Sequence, residues 1–276
     1  MFDKDAILAL QESQSIAAVS AALLAADTTL DLAALPSDYK LHNLEQFLPA
    51  RRRARGTMAT PLLESFTDYT KAHAEAGASV FVNPDNMSAT AVLNLGTPSA
   101  PGHADNKAKL EVKRTAAFVA MLGVASGNPL KQSIVAEFLE DWPDQVKCHN
   151  ADGPISISKA TQAVRKITIE SVRKMENTEQ QLSASRSAFE SVQATSADPL
   201  PTLIEFVCQP YPELMERVFT LRLAVQTGGD KPAIALRIIK AEQHNEEMAR
   251  ELAFMISAGF DGAEIPVLIG GYAKTE

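Results

Sequence analysis

Hydrophobic and polar positions alternate most regularly between residues 203 and 240. Two runs, 218–225 and 234–239, keep a period of two, which is the pattern of strands with one buried face. Between them, Gly228-Gly229-Asp230-Lys231 supplies glycines that can adopt the positive φ of a tight turn. The pattern predicts an antiparallel hairpin, joined by a third strand over residues 203–208.

The position of this turn fixes which residues of the hairpin face each other. Folding the chain about Gly229-Asp230 places Arg222 directly opposite Arg237. Like charges at opposed positions destabilise a sheet, so the register requires an anion between the two guanidinium groups. Its source is either an internal carboxylate, Glu205 or Glu170, or an acid from a ligand or partner. We favour the internal carboxylate, because antiparallel sheets often neutralise cross-strand charge in this way.

Helical periodicity and end signals predict the other elements. Apolar residues at intervals of three and four, bounded by capping residues, Pro or Gly, predict helices over residues 3–26, 61–77, 107–122, 129–142 and 242–259. Short β-branched runs predict strands over residues 79–82, 89–95 and 265–269. We interpret residues 35–60 as a connecting segment on the surface and residues 96–106 as a loop.

Residues 155–195 allow two interpretations. The run lacks Gly and Pro and its apolar residues fall at roughly helical spacing, which permits one long helix or a coiled-coil arm. However, residues 166–169 are β-branched and alternating, and residues 183–187 are poor in helix formers. We favour a short helix followed by strands over 167–175 and 188–194, which would join the hairpin in one antiparallel sheet.

These elements predict an α+β fold, in which an antiparallel C-terminal sheet built around residues 203–240 packs against helices. The predicted domain organisation is an N-terminal helical segment over residues 1–34 and a single α+β domain over 35–276. A further sub-boundary is predicted near residue 150.

Composition narrows the class of protein. The chain has 276 residues, 46% of them hydrophobic, and a formal net charge of -8 at pH 7. This acidity argues against a general nucleic-acid coat. The two cysteines lie far apart, no signal peptide precedes them, and no apolar run approaches the roughly 20 residues of a membrane span. The sequence therefore predicts a cytoplasmic protein with reduced thiols and no membrane association.

Motifs of catalysis or of metal and cofactor binding are absent. The chain contains no nucleophile elbow, zinc-protease motif, Walker loop or dinucleotide fingerprint. The acidic residues between 137 and 144 have no histidine at helical spacing, so we interpret them as a solvated face. Cys148-His149 lacks further ligands nearby in the sequence. We predict no catalytic residues, no metal and no cofactor.

A cluster of basic residues is the other candidate binding feature. Arg51, Arg52, Arg53 and Arg55 lie close together in the predicted connecting segment. Such a cluster can bind phosphates or an acidic partner. We favour a solvated run that pairs with the excess acid of the chain over a nucleic-acid site.

Several segments carry a resemblance to a known family. They are LPSDYKLHNLEQFLPARRRARG, SFTDYTKAH, VFVNPDNMSATAVLNL, EFLED, SASRSAFE and FTLRLAVQTGGDKPAIALRI, in this order. Together they resemble the YfdQ-like family of phage and prophage proteins, from about residue 35 to residue 272. The resemblance implies an accessory protein made in the bacterial cytoplasm during phage infection or lysogeny, and it assigns no catalytic residue.

Two classes of function remain as hypotheses. The first is a non-enzymatic protein that acts through self-assembly and by binding a host or phage protein, for instance one that antagonises a host defence system. The alternative is a nucleic-acid accessory factor of phage recombination or replication, which only the arginine cluster supports. We expect a homo-oligomer, because the first helix is apolar and both faces of the predicted sheet carry aliphatic side chains.

Overall fold

The computed structural model describes residues 4–24, 45–150, 152–167, 200–226 and 233–273. The chain divides into two compact units, Met1–Arg53 and Ala54–Glu276. Its class is α+β, as predicted, with one mixed and one antiparallel sheet of five strands each.

The first unit contains the predicted N-terminal helix, α1 (Lys4–Leu24), and a short 3-10 turn at Glu45–Phe47. Alanine and leucine favour the helix, and two of its apolar side chains, Leu8 and Ile16, are exposed. The predicted boundary between residues 34 and 35 lies outside the described residues, so that division stays a prediction.

The second unit holds the remaining elements. Its helices are α2 (Leu63–His73), α3 (Ala116–Val124), α4 (Gln132–Asp141), α5 (Ile157–Lys166) and α6 (Ala241–Gly259). Its strands are β1 (Gly56–Thr60), β2 (Ser79–Asn83), β3 (Ser88–Val92), β4 (Gly96–Thr97), β5 (Ala100–Pro101), β6 (Asn106–Glu111), β7 (Val146–Asn150), β8 (Gly153–Ile155), β9 (Leu203–Cys208), β10 (Arg217–Gln226), β11 (Ala233–Ile238) and β12 (Val267–Ile269).

The mixed sheet has the strand order β1-β6-β3-β2-β12, with β1 parallel to β6 and β12 parallel to β2. One face is apolar and buried beneath α2 and α6, because almost every residue of β2, β3 and β6 on that face is apolar, and most of the intervening residues are polar. The buried side chains are Val80, Val82, Ala89, Ala91, Ala108 and Leu110 from the strands, with Phe66, Met248, Leu252 and Ile256 from the helices.

The antiparallel sheet has the order β11-β10-β9-β7-β8. Its inner face packs against α3, α4 and α5, as the contact between the rings of Phe138 and Phe206 at 5.3 Å illustrates. The register of the hairpin confirms the predicted one, because Arg222 pairs with Arg237 and Leu221 with Ile238. The strand over residues 203–208 is also confirmed, since β9 pairs with β10.

Two expectations, about residues 107–122 and about residues 56–60, were wrong. Residues 107–122 form a strand and a shorter helix rather than one helix, because β6 buries Ala108 and Leu110 between β1 and β3. The side chain of Thr115 then accepts a hydrogen bond from the Phe118 amide and caps α3. Residues 56–60 form strand β1 of the mixed sheet, whereas the sequence predicts a connecting segment there.

Several helices begin a few residues away from their predicted start. Helix α2 begins at Leu63, and Thr60 bonds the Leu62 amide instead of capping the first turn. Helix α4 starts at Gln132 rather than at Pro129, because residues 126–130 run along β11 and exchange backbone hydrogen bonds with it. The predicted loop 96–106 includes the two-stranded hairpin β4–β5.

Residues 155–195, for which the sequence allows two interpretations, are described only in part. Helix α5 confirms a short helix at its start. Ile167, the first residue of one predicted strand, is instead the C-cap of α5. Residues 168–199 lie outside the described residues, so the rest of the strands predicted over 167–175 and 188–194 stay predictions.

Candidate functional site

The predicted arginine pair lies on the outer face of the antiparallel sheet. Arg222 on β10 and Arg237 on β11 occupy directly opposed positions, and both side chains are exposed. Their strand neighbours Leu221 and Leu236 are buried, because successive residues of a strand point to opposite faces. Side chains at opposed positions have Cβ atoms about 5 Å apart, so the two guanidinium groups can reach one anion.

We call this outer surface the arginine face. It carries three basic side chains, one carboxylate, one imidazole and several small or aliphatic residues. Its members are Lys147, His149, Leu203, Glu205, Val207, Val218, Thr220, Arg222, Ala224, Ala235, Arg237 and Ile239.

Glu205, one of the two internal carboxylates proposed from the sequence, does not bind either arginine. Glu205 lies opposite Thr220 and therefore diagonal to Arg222. Its carboxylate approaches the other side, with Oε2 3.6 Å from Nε2 of His149, which is longer than a hydrogen bond. No other described carboxylate forms an ion pair with either arginine. Glu170, the second candidate, lies outside the described residues.

The composition of the arginine face indicates the chemistry it can bind. Two neighbouring guanidinium groups provide planar forks of N–H donors that match carboxylate or phosphate oxygens. Leu203, directly opposite Arg222 on β9, provides apolar contact beside them, and Val218, which is 49% exposed, lies four residues before Arg222 on β10. Among its described residues the face carries no Phe, Tyr or Trp, the side chains that single-stranded nucleic acid generally uses for base stacking. The surface therefore presents two guanidinium groups that can bind a carboxylate or a phosphate.

The four arginines of the basic cluster are divided between the two units. Arg51, Arg52 and Arg53 end the first unit and Arg55 lies at the start of the second. Arg51, Arg52 and Arg55 are exposed, and Arg53 is half-buried. The backbone amide of Arg52 donates to Oε1 of Glu45 at 3.2 Å, so this stretch is tied to the 3-10 turn of its unit.

A further charged group was not predicted from the sequence. Arg217, at the start of β10, donates to Glu247 at 3.1 Å and to Glu251, both on α6. The side chains of Arg217 and Glu251 are only 17% and 18% exposed. The sequence carries two signals of this network of Arg217 with Glu247 and Glu251. Arg217 lies two residues before the buried Phe219, so both side chains point to the same face of the sheet, and the two glutamates are four residues apart on one helix.

His244 belongs to the same network. Its ring lies 4.9 Å from that of Phe219. Burial lowers the pKa of His244; nearby Glu247 opposes the shift, and Arg217 and Lys240 add to it. The hydrogen bond from Gln243 is the main cause that lowers the pKa of Glu247, with Arg217 and His244 contributing.

The thiols offer no reactive group. Burial raises the pKa of Cys148 to about 12, and burial together with Glu216 raises that of Cys208 to about 12. A thiol with such a pKa is protonated at neutral pH and is a poor nucleophile. In the described ranges, no group of three or more His, Cys, Asp or Glu side chains is placed to hold a metal ion. No helix in the part of the chain that the structure describes combines the length and apolar content of a membrane span.

Comparison with known proteins identifies the family. The model of the DUF2303 family, described as uncharacterized conserved protein, matches residues 4–272, and the chain belongs to this family. No curated protein and no solved structure matches the chain.

Proposed function

We propose that this member of the DUF2303 family is a non-enzymatic accessory protein that acts through self-assembly and contacts with other proteins. The observation that carries the proposal is the exposed pair Arg222 and Arg237, which no described carboxylate neutralises. Opposed like charges cost a sheet up to about 1 kcal/mol. An anion from a partner removes that cost on binding, so the arginine face favours an acidic protein surface.

The proposed setting is a phage or prophage protein in the bacterial cytoplasm. The segments that resemble the YfdQ-like family support this origin, and they include residues 219–238, which contain both arginines. The proposed partner is a host or phage protein with an acidic surface, and a component of a host defence system is the instance to test.

The alternative proposal is a nucleic-acid accessory factor of phage recombination or replication. Its support is the exposed basic side chains Arg51, Arg52 and Arg55. Binding through such side chains would release counterions and weaken steeply with salt.

The two proposals are distinguished by light scattering after size exclusion, run beside filter binding to single- and double-stranded DNA. The first predicts an oligomer at micromolar concentration that leaves DNA unbound. The alternative predicts salt-sensitive DNA binding that is lost when Arg51, Arg52, Arg53 and Arg55 are changed to alanine. A monomer that binds DNA in this way would contradict the first proposal.

A further inference from the structure

We infer that the arginine face of one copy of this chain binds helix α4 of a second copy, so that copies associate head to tail. The inference rests on the proposed function and names the acidic surface that the arginines bind.

Helix α4 has one apolar and one acidic side. Val135, Phe138 and Leu139 are buried against the core. On the other side, Ile134, Glu137 and Asp141 are exposed and follow one another at intervals of three and four residues; we call them the acidic stripe.

The carboxylates of the acidic stripe are available to a partner. The neighbouring Glu140 is bound within the chain, since Arg165 donates to its two oxygens at 3.0 and 2.8 Å. Among the described residues, neither Glu137 nor Asp141 forms an ion pair.

The spacing of the two surfaces agrees. Residues four apart on a helix have Cβ atoms about 5–6 Å apart. Opposed residues on neighbouring strands have Cβ atoms about 5 Å apart. One carboxylate of the stripe can therefore meet each guanidinium group. Ile134, which is 39% exposed, lies one turn before Glu137 and can contact the aliphatic residues of the arginine face, such as Leu203.

The contact must form between copies. Helix α4 packs on the inner face of the antiparallel sheet, as the rings of Phe138 and Phe206 show, and its acidic stripe points away from that sheet. The arginines point to the opposite side. Because the two patches differ, each copy keeps one free patch of each kind, and repetition gives a closed ring or an open filament.

Charge reversal tests this pairing through the mass of the assembly, measured by light scattering at micromolar concentration. Arg222→Glu/Arg237→Glu opposes acid to acid, and Glu137→Arg/Asp141→Arg opposes base to base. Each double variant should fall to the mass of one chain, 29.7 kDa. The quadruple variant restores opposite charges with the surfaces exchanged and should assemble again, as should an equimolar mixture of the two double variants.

A matched control is Glu242→Arg/Glu246→Arg, which makes the same change of charge four residues apart on the exposed side of α6. It should keep the wild-type mass. If a reversed variant melts early, the neutral changes Arg222→Gln/Arg237→Gln and Glu137→Gln/Asp141→Asn replace it, and each should lower the mass.

Three results would overturn the inference. A wild-type chain that is monomeric at this concentration is the first. If the arginine variant dissociates while the α4 variant keeps the wild-type mass, the arginines bind another acidic surface, so the inference fails while the proposed function stands. If neither double variant changes the mass, the arginine face is not a contact surface and both fail.

Discussion

Arg217 and Arg222 lie on the same strand and provide a matched pair for testing whether the arginine face is free. Arg217→Met removes a cation that two carboxylates bind on the inner side of β10. Arg222→Met makes the same change of side chain on the outer face. The expected effects on the free energy of unfolding differ in size and in sign.

The loss for Arg217→Met follows from the burial of its partner. Breaking a fully buried ion pair costs about 3–5 kcal/mol, because the remaining charge is left without compensation. Glu251 is 18% exposed and keeps the hydrogen bond from the Met215 amide at 2.6 Å, so part of its charge stays solvated. We therefore expect a loss of about 2–3 kcal/mol, which lowers the melting temperature by roughly 5–10 °C in a chain of this size.

Arg222→Met should leave stability unchanged or raise it slightly. Removing one of two opposed like charges recovers a few tenths of a kcal/mol up to about 1 kcal/mol. The assay is urea denaturation of both variants and the wild type, each diluted until light scattering gives the mass of one chain, because association would add its own stabilisation. A changed midpoint at constant slope then reports the stability of the single chain. If Arg222→Met loses about 2 kcal/mol or more, as expected for Arg217→Met, then a carboxylate inside the chain neutralises Arg222. The arginine face would then not be free for a partner.

Three further predictions concern other parts of the molecule. Gly96→Ala should lower the free energy of unfolding by at least about 2 kcal/mol, because Gly96 has φ +76° and a Cβ there would lie 2.2 Å from the backbone nitrogen of Gly102. Its matched control is Gly123→Ala in α3, which has open space around it and should stabilise the protein by about 0.5–1 kcal/mol in the same denaturation assay. The lowered pKa of His244 means that the unfolded chain binds more protons between that pKa and 6.5, so stability should fall as pH drops through this window. His244→Gln should flatten this dependence in melting curves between pH 7.5 and 5.5, and an unchanged slope would show that His244 does not cause it. Changing Arg51, Arg52, Arg53 and Arg55 together to alanine should lower the melting temperature by less than about 5 °C, and a larger drop would show that the cluster is structural.

The elements that local patterns determine were the ones predicted from the sequence. The hairpin followed from alternation on both sides of Gly228-Gly229, and helix α6 from a single apolar stripe. Residues 107–111 were wrongly assigned to a helix because Lys, Ala, Leu and Glu favour helices locally. Their strand forms through pairing with β1 and β3, which are distant in the sequence. Strand β1 was missed because it too forms through pairing with a strand that is distant in the sequence, β6.

The candidate site was predictable in part. The opposed arginines followed from the register, since a period of two fixes which side chains face each other. The orientation of Glu205 toward His149 did not, because it depends on β7, which pairs with β9 across more than fifty intervening residues. The ion pairs of Arg217 with α6 depend on the tertiary packing of that helix against β10. Their only signals in the sequence are the alternation that turns Arg217 to the same face as Phe219 and the interval of four residues between the two glutamates.

The most direct test of the account is the mass of Arg222→Gln/Arg237→Gln, measured by light scattering beside the wild type at the same micromolar concentration. The variant removes both charges from the arginine face without reversing them. We predict a wild-type oligomer and a folded variant of lower mass. Equal masses for the two proteins would contradict the claim that this face binds an acidic partner in the assembly.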